Sequence, residues 1–127
     1  MSDFNFDFTL IKKGAPVLTL SSLGIALNES SQKMLGNPDY ISIGYDAAKK
    51  MLALRVTDEN DKNGFKIGGR SRQGWVRVGC RDFIRYISSE TGIDCVNKAK
   101  QFFAQYNDEI KMVTVEISEE NENADKT

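Results

Sequence analysis

The chain has 127 residues, 40% hydrophobic and 28% charged, with a net charge of −1, no histidine and two cysteines. That is one domain's worth of ordinary globular composition; no apolar run nears the roughly 18 to 20 residues of a membrane span, and two thiols make no disulfide framework. The missing imidazole removes the commonest general base and transition-metal ligand, and the start, Met1-Ser2-Asp3-Phe4, has no signal-peptide pattern, so the expected compartment is the cytoplasm.

In chain order, Phe4, Phe6, Phe8 and Leu10 alternate with Asp3, Asn5, Asp7 and Thr9, the period of a half-buried strand. Lys12-Lys13-Gly14-Ala15-Pro16 is turn material. Val17-Leu18-Thr19-Leu20 resumes an extended run, and Leu23-Gly24-Ile25-Ala26-Leu27 follows it. Asn28 suits the N-cap of a helix carrying Met34 and Leu35, which Gly36-Asn37-Pro38 stops. Tyr40-Ile41-Ser42-Ile43-Gly44, a turn at Asp46 to Lys49, and Met51-Leu52-Ala53-Leu54-Arg55-Val56 read as a hairpin.

The polar stretch from Thr57 to Gly64 reads as a solvated linker, since its acids lack the spacing and closing glutamate of a calcium loop. A short strand at Phe65-Lys66-Ile67 precedes Gly68-Gly69, and Trp75-Val76-Arg77-Val78 alternates with Arg77 opposite its apolar neighbours. Arg81 to Thr91 reads as a helix with Phe83, Ile84 and Ile87 on one face and Gly92 at its end. Gln101 to Tyr106 and Lys111 to Ile117 form a closing hairpin. From Glu119 onward the chain is acidic and polar, the composition of a disordered tail.

The chain repeats itself. Tyr45 to Val56 aligns without a gap on Tyr106 to Ile117, each after an apolar strand, a helix and a glycine, and the second copy holds extra residues at Asp94 to Lys100. One domain, residues 1–118, is therefore expected from two units, residues 14–58 and 64–118, with residues 119–127 as tail. The runs Gly24-Ile25-Ala26-Leu27-Asn28, Lys33-Met34-Leu35-Gly36, Tyr40-Ile41-Ser42-Ile43 and Met51-Leu52-Ala53-Leu54 resemble the swapped-hairpin domains of the SpoVT-AbrB, MazE and MraZ group. The layout from Val17 to Ile117 looks like small bacterial and phage proteins carrying one such unit and a degenerate second. The resemblance implies an α+β fold in which two tandem strand–helix–hairpin units interlock as a single-chain pseudo-dimer, a swapped-hairpin-like barrel. It also implies DNA binding through basic residues near the first strand. Here Ser21-Ser22-Leu23-Gly24 offers no such base, so a symmetric half-site reader is not expected.

The charge lies in blocks. Lys62, Lys66, Arg70, Arg72, Arg77, Arg81 and Arg85 stand against Asp82 alone. Arg70, Arg72 and Arg77 flank Trp75, joining charge for phosphate to an aromatic surface for stacking. The same residues suit a core tryptophan beside a cationic sheet edge that deters aggregation, a protein partner, or the chain's own acidic tail. No cofactor, metal or membrane partner is expected. Cys80 next to Arg81 invites a lowered thiol pKa but lacks a base, and there is no nucleophile elbow or phosphate loop. The expected function is a non-enzymatic DNA-binding or regulatory accessory protein, phage- or mobile-element-encoded, contacting double-stranded DNA through Arg70, Arg72, Trp75, Arg77, Arg81, Lys12 and Lys13. The alternative is a protein-interaction module acting on a host factor, as monomer or homodimer.

Overall fold

The computed structural model describes residues 15–123. The strand expected at Phe4 to Leu10, and the two lysines Lys12 and Lys13, lie outside them. Β-strands and helices follow in the order β1 (Val17–Ser21), β2 (Gly24–Leu27), α1 (Glu29–Met34), β3 (Tyr40–Asp46), β4 (Met51–Thr57), β5 (Phe65–Lys66), β6 (Val76–Gly79), α2 (Arg81–Thr91), β7 (Lys100–Phe103), β8 (Gln105–Asn107) and β9 (Met112–Glu116). Two antiparallel sheets result, a four-stranded one in the order β6-β2-β1-β7 and a five-stranded one in the order β5-β3-β4-β9-β8. Leu18, Leu20, Ile25, Leu27, Val76, Val78 and Phe102 of the first share one apolar cluster with Ile41, Leu52, Leu54, Val113 and Val115 of the second. That cluster is larger than either repeat supplies alone, which is how two marginal units become stable.

Local chemistry explains the elements. Gly24, at φ 143°, opens β2 after the turn from β1, and a Cβ there would run into the Val78 carbonyl oxygen, so only glycine lets β6 pair alongside. Asn28 caps α1, its Oδ1 accepting from the Ser31 amide at 3.0 Å. Helix α2 has the bounds read from the sequence: Ile84 and Ile87 are fully buried, Asp82 sits in the first turn, and Gly92 ends the helix at φ 78°. Tyr45 meets Phe83 and Tyr86 edge to face, with ring centroids 6.3 and 6.0 Å away, and ties α2 to the tip of β3.

The repeat in the sequence is a repeat in space at the hairpins. Lys50 (φ 53°) and Lys111 (φ 57°) close two equivalent turns in the left-handed region. Asp46 and Asn107 brace those turns, their Oδ1 atoms accepting from the amides of Lys49 and of Glu109 and Ile110. β4 pairs antiparallel with β9 so that Ala53 faces Thr114, its own counterpart in the other copy. A local two-fold axis therefore runs through that pair.

The closure expected from the resemblance is overturned. Neither sheet closes: the first ends in β6 and β7, the second in β5 and β8, so the α+β class holds while the swapped-hairpin-like barrel and the likeness to SpoVT-AbrB domains do not. The reason lies in the partners that the strands choose. A pattern of residue types says which segments extend, not which edges meet. The segment read as one strand, Gln101 to Tyr106, divides at buried Ala104, whose amide donates to the Pro16 carbonyl at 3.0 Å; β7 pairs with β1 and β8 with β9.

The structure adds detail to two further segments. Thr57 to Gly64 is a set of hydrogen-bonded turns: Asp58 and Asp61 accept from the amides of Asn60 and Asn63 at 2.9 Å each, and Thr57 Oγ1 donates to Asp61 at 2.9 Å. Those bonds hold the Asp61 carboxyl below its usual range. The acidic segment is docked through Asn123, where Ser118 caps a short 3-10 turn at Glu119–Asn121 and Asn121 Nδ2 donates to the carbonyls of Phe103 and Glu116. No helix among the described residues is long and apolar enough to cross a membrane.

Candidate functional site

The four strands of the first sheet align one outward row: Arg77 on β6 faces Ala26 on β2, Ala26 faces Thr19 on β1, and Thr19 faces Gln101 on β7. Their in-strand neighbours, such as Val76, Val78, Ile25, Leu27, Leu18 and Leu20, turn into the core, so strand alternation delivers this row to the outer face. Over one end of it lies the segment between β5 and β6. Arg72 and Trp75 exchange backbone hydrogen bonds (2.7 and 3.0 Å) around Gln73 (φ 54°) and Gly74 (φ 86°), a tight turn with two left-handed central residues.

Three anchors hold this segment. Ile67 is buried, its amide and that of Gly68 donating to the Asp39 carbonyl at 2.8 and 3.1 Å. At Gly68 a Cβ would meet the Asp39 side chain, so the chain passes there only as glycine. At the other end Gln32 of α1 spreads its Nε2 between the carbonyls of Leu27 (3.2 Å) and Gly74 (3.1 Å). Between the segment and the sheet face opens a groove of about 750 Å³ lined by Thr19, Ala26, Gly69, Arg70, Ser71, Arg72, Trp75 and Arg77.

Four of the residues singled out from the sequence thus meet in one place: Arg70, Arg72, Trp75 and Arg77. The three arginines are exposed and none forms an ion pair among the described residues, while Trp75 is half-buried in the wall. Arg81 is not with them; it opens α2, away from the groove lining. Lys12 and Lys13 lie outside the described residues. The rest of the basic run disperses as well. Lys62 and Lys66 line other depressions, and Arg85 stands 4.0 Å from Asp82 on its own helix.

The acidic segment does not neutralise this groove as far as it is described. Glu122 pairs with Lys100 at 3.7 Å and bridges to Phe102, on β7, the edge opposite to Arg77. Cys80 is no activated thiol: burial pushes its pKa up, and its Sγ donates to the Val78 carbonyl at 3.6 Å. Cys95, fully buried, is raised for the same reason.

Sequence reasoning missed Gln32, Thr19 and Ala26. Thr19 had a signal in its alternation with Leu18 and Leu20; Gln32 had none, because its partner Gly74 is remote in the chain. Comparison with protein-family models, with curated proteins and with solved structures returns no match.

Proposed function

We propose that this chain is a non-enzymatic binding module that holds nucleic acid by its phosphates in the groove beneath the Arg72–Trp75 turn. The observation that carries the reading is the convergence of Arg70, Arg72 and Arg77, without carboxylate partners among the described residues, on one concavity that also holds the chain's sole tryptophan. Guanidinium groups recognise phosphate by charge and by their fork of donors. The lining supplies guanidinium groups, an indole and two hydroxyls, which supports a recognition role.

The test is retention of labelled mixed-sequence DNA, offered both as duplex and as single strands, at low salt. Affinity falls with added salt along a log–log slope of about −2 to −3, as roughly three phosphate contacts require, and R77A makes that slope shallower by about one. The triple change R70A/R72A/R77A abolishes binding. Failure of both forms of DNA to bind at low salt, or binding indifferent to the triple change, rejects the reading. An acidic polypeptide that displaces the DNA more effectively than its charge predicts transfers the groove to a protein partner.

A further inference from the structure

We infer that the groove is built for a single-stranded segment of nucleic acid, with one base laid against Trp75 and its neighbouring phosphates on Arg70, Arg72 and Arg77; this rests on the nucleic-acid reading above. The shape of the site is the first argument. A duplex is convex, keeps its bases stacked inside, and is read by a helix or ribbon that protrudes into a groove of the nucleic acid. Here the relation is inverted: the cations line a concavity of the protein, and none of the three stands on a helix. Of these arginines only Arg77 lies on a strand, and it belongs to the flat face of the sheet.

The floor is the second argument. Opposite the turn the sheet presents Thr19 and Ala26, side chains too short to obstruct a planar ring. The depression, about 750 Å³ and open to solvent, is on the scale of sites that receive a small planar group. An unpaired base has a free face, and single strands are held by stacking such faces on aromatic side chains while cations track the backbone. Trp75 is suited to that role by its placement. Its backbone is fixed by the bonds to Arg72, the turn is moored through Gln32, and the indole is neither fully buried nor fully exposed. A stacking platform that is already in place costs little ordering on binding.

Stacking is tolerant of base identity, so the site is expected to prefer strandedness over sequence. DNA and RNA single strands share the chemistry involved. The groove lining offers Ser71 and Thr19 hydroxyls, and the test separates the two sugars.

Because Trp75 is the only tryptophan, its fluorescence reports this site and no other. Titration with oligothymidylate, with oligouridylate and with a duplex of equal length at one low salt concentration is the experiment. Both single strands quench Trp75 and bind about tenfold more tightly than the duplex, the order that one stacked base supplies. A preference between oligodeoxyuridylate and oligouridylate, which carry the same base, assigns the sugar. W75F, followed by anisotropy of a labelled oligothymidylate, keeps an aromatic ring and loses a few-fold in affinity. W75L loses about tenfold toward single strands and less toward the duplex, so that the single-strand preference narrows, with circular dichroism checking that each variant is folded. Duplex bound as tightly as single strands, without quenching, overturns this inference and leaves the broader reading standing. Absence of binding by all three probes overturns both.

Discussion

Asn28 shows how much a single amide can organise. Its Oδ1 accepts from Ser31 N at 3.0 Å and from Val17 N at 3.1 Å, and its Nδ2 donates to the Ala15 carbonyl at 2.8 Å, so one side chain starts α1 and fastens the beginning of β1. Ser31 reinforces the joint by donating its hydroxyl to the Val17 carbonyl at 3.0 Å in a buried position. Asn28→Ala removes a cap worth about 1 kcal/mol and leaves the Val17 amide without its acceptor, a loss of about 2 kcal/mol altogether. Urea denaturation reads it as a lower midpoint at constant slope. Asn28→Asp keeps both acceptor bonds and recovers most of the loss; equal loss in the two variants refutes the account. The capping role was legible, because a cap is set by residues adjacent in the chain. The hold on Val17 was not, because it depends on how β1 and β2 fold back on each other. Gly24 makes the same point: it reads as one member of an apolar run, and its necessity emerges only when β6 lies against it.

Among the elements, legibility followed how local the determining forces are. Helix α2 was found with its bounds because Phe83, Ile84 and Ile87 recur at helical spacing and Gly92 takes the left-handed cap. The hairpins were found because strand alternation and turn residues sit side by side in the sequence. The division of the 101–106 segment between two sheets was hidden, since Ala104 looks like any small strand residue until Pro16 and β1 claim its neighbours. The basic run was legible as charge but not as a site. Folding gathers Arg70, Arg72 and Arg77 under a turn and sends Arg81 and Arg85 to α2. That turn depends on a tether from another element. Gln32→Ala removes the bonds to the Leu27 and Gly74 carbonyls while leaving the apolar core untouched, so global stability falls by only about 1 to 2 kcal/mol. The amides of residues 69–75 exchange faster, the Trp75 emission moves to the red, and affinity for nucleic acid drops with it. Unchanged exchange across those residues shows that the tether is dispensable.

At the scale of the molecule, the repeat is real in its hairpins and absent in its closure. Equivalent turns at Lys50 and Lys111, and the pairing of Ala53 with Thr114, give the five-stranded sheet a local two-fold axis. The four-stranded sheet has no such freedom, because β1 belongs to the first copy only and recruits β7 from the second. The two units are thereby stitched together by four strand pairs, β1 with β7 and β2 with β6 in one sheet, β3 with β5 and β4 with β9 in the other. With one core cluster drawing on both sheets, neither unit has apolar surface to keep for itself. Unfolding is accordingly a single cooperative event. Leu54 lies fully buried in the first unit opposite Val113 of the second, and Leu54→Ala costs about 2 to 5 kcal/mol. Trp75 reports from the second unit, on the other sheet's side, whereas far-ultraviolet circular dichroism reports from the whole chain. If the stitching is as described, both signals in Leu54→Ala shift to the same lower midpoint and remain superimposable. A Trp75 transition that stays at the wild-type midpoint while the circular dichroism signal moves would mean that the units fold separately, and that the groove does not depend on the hairpin pairing beneath it.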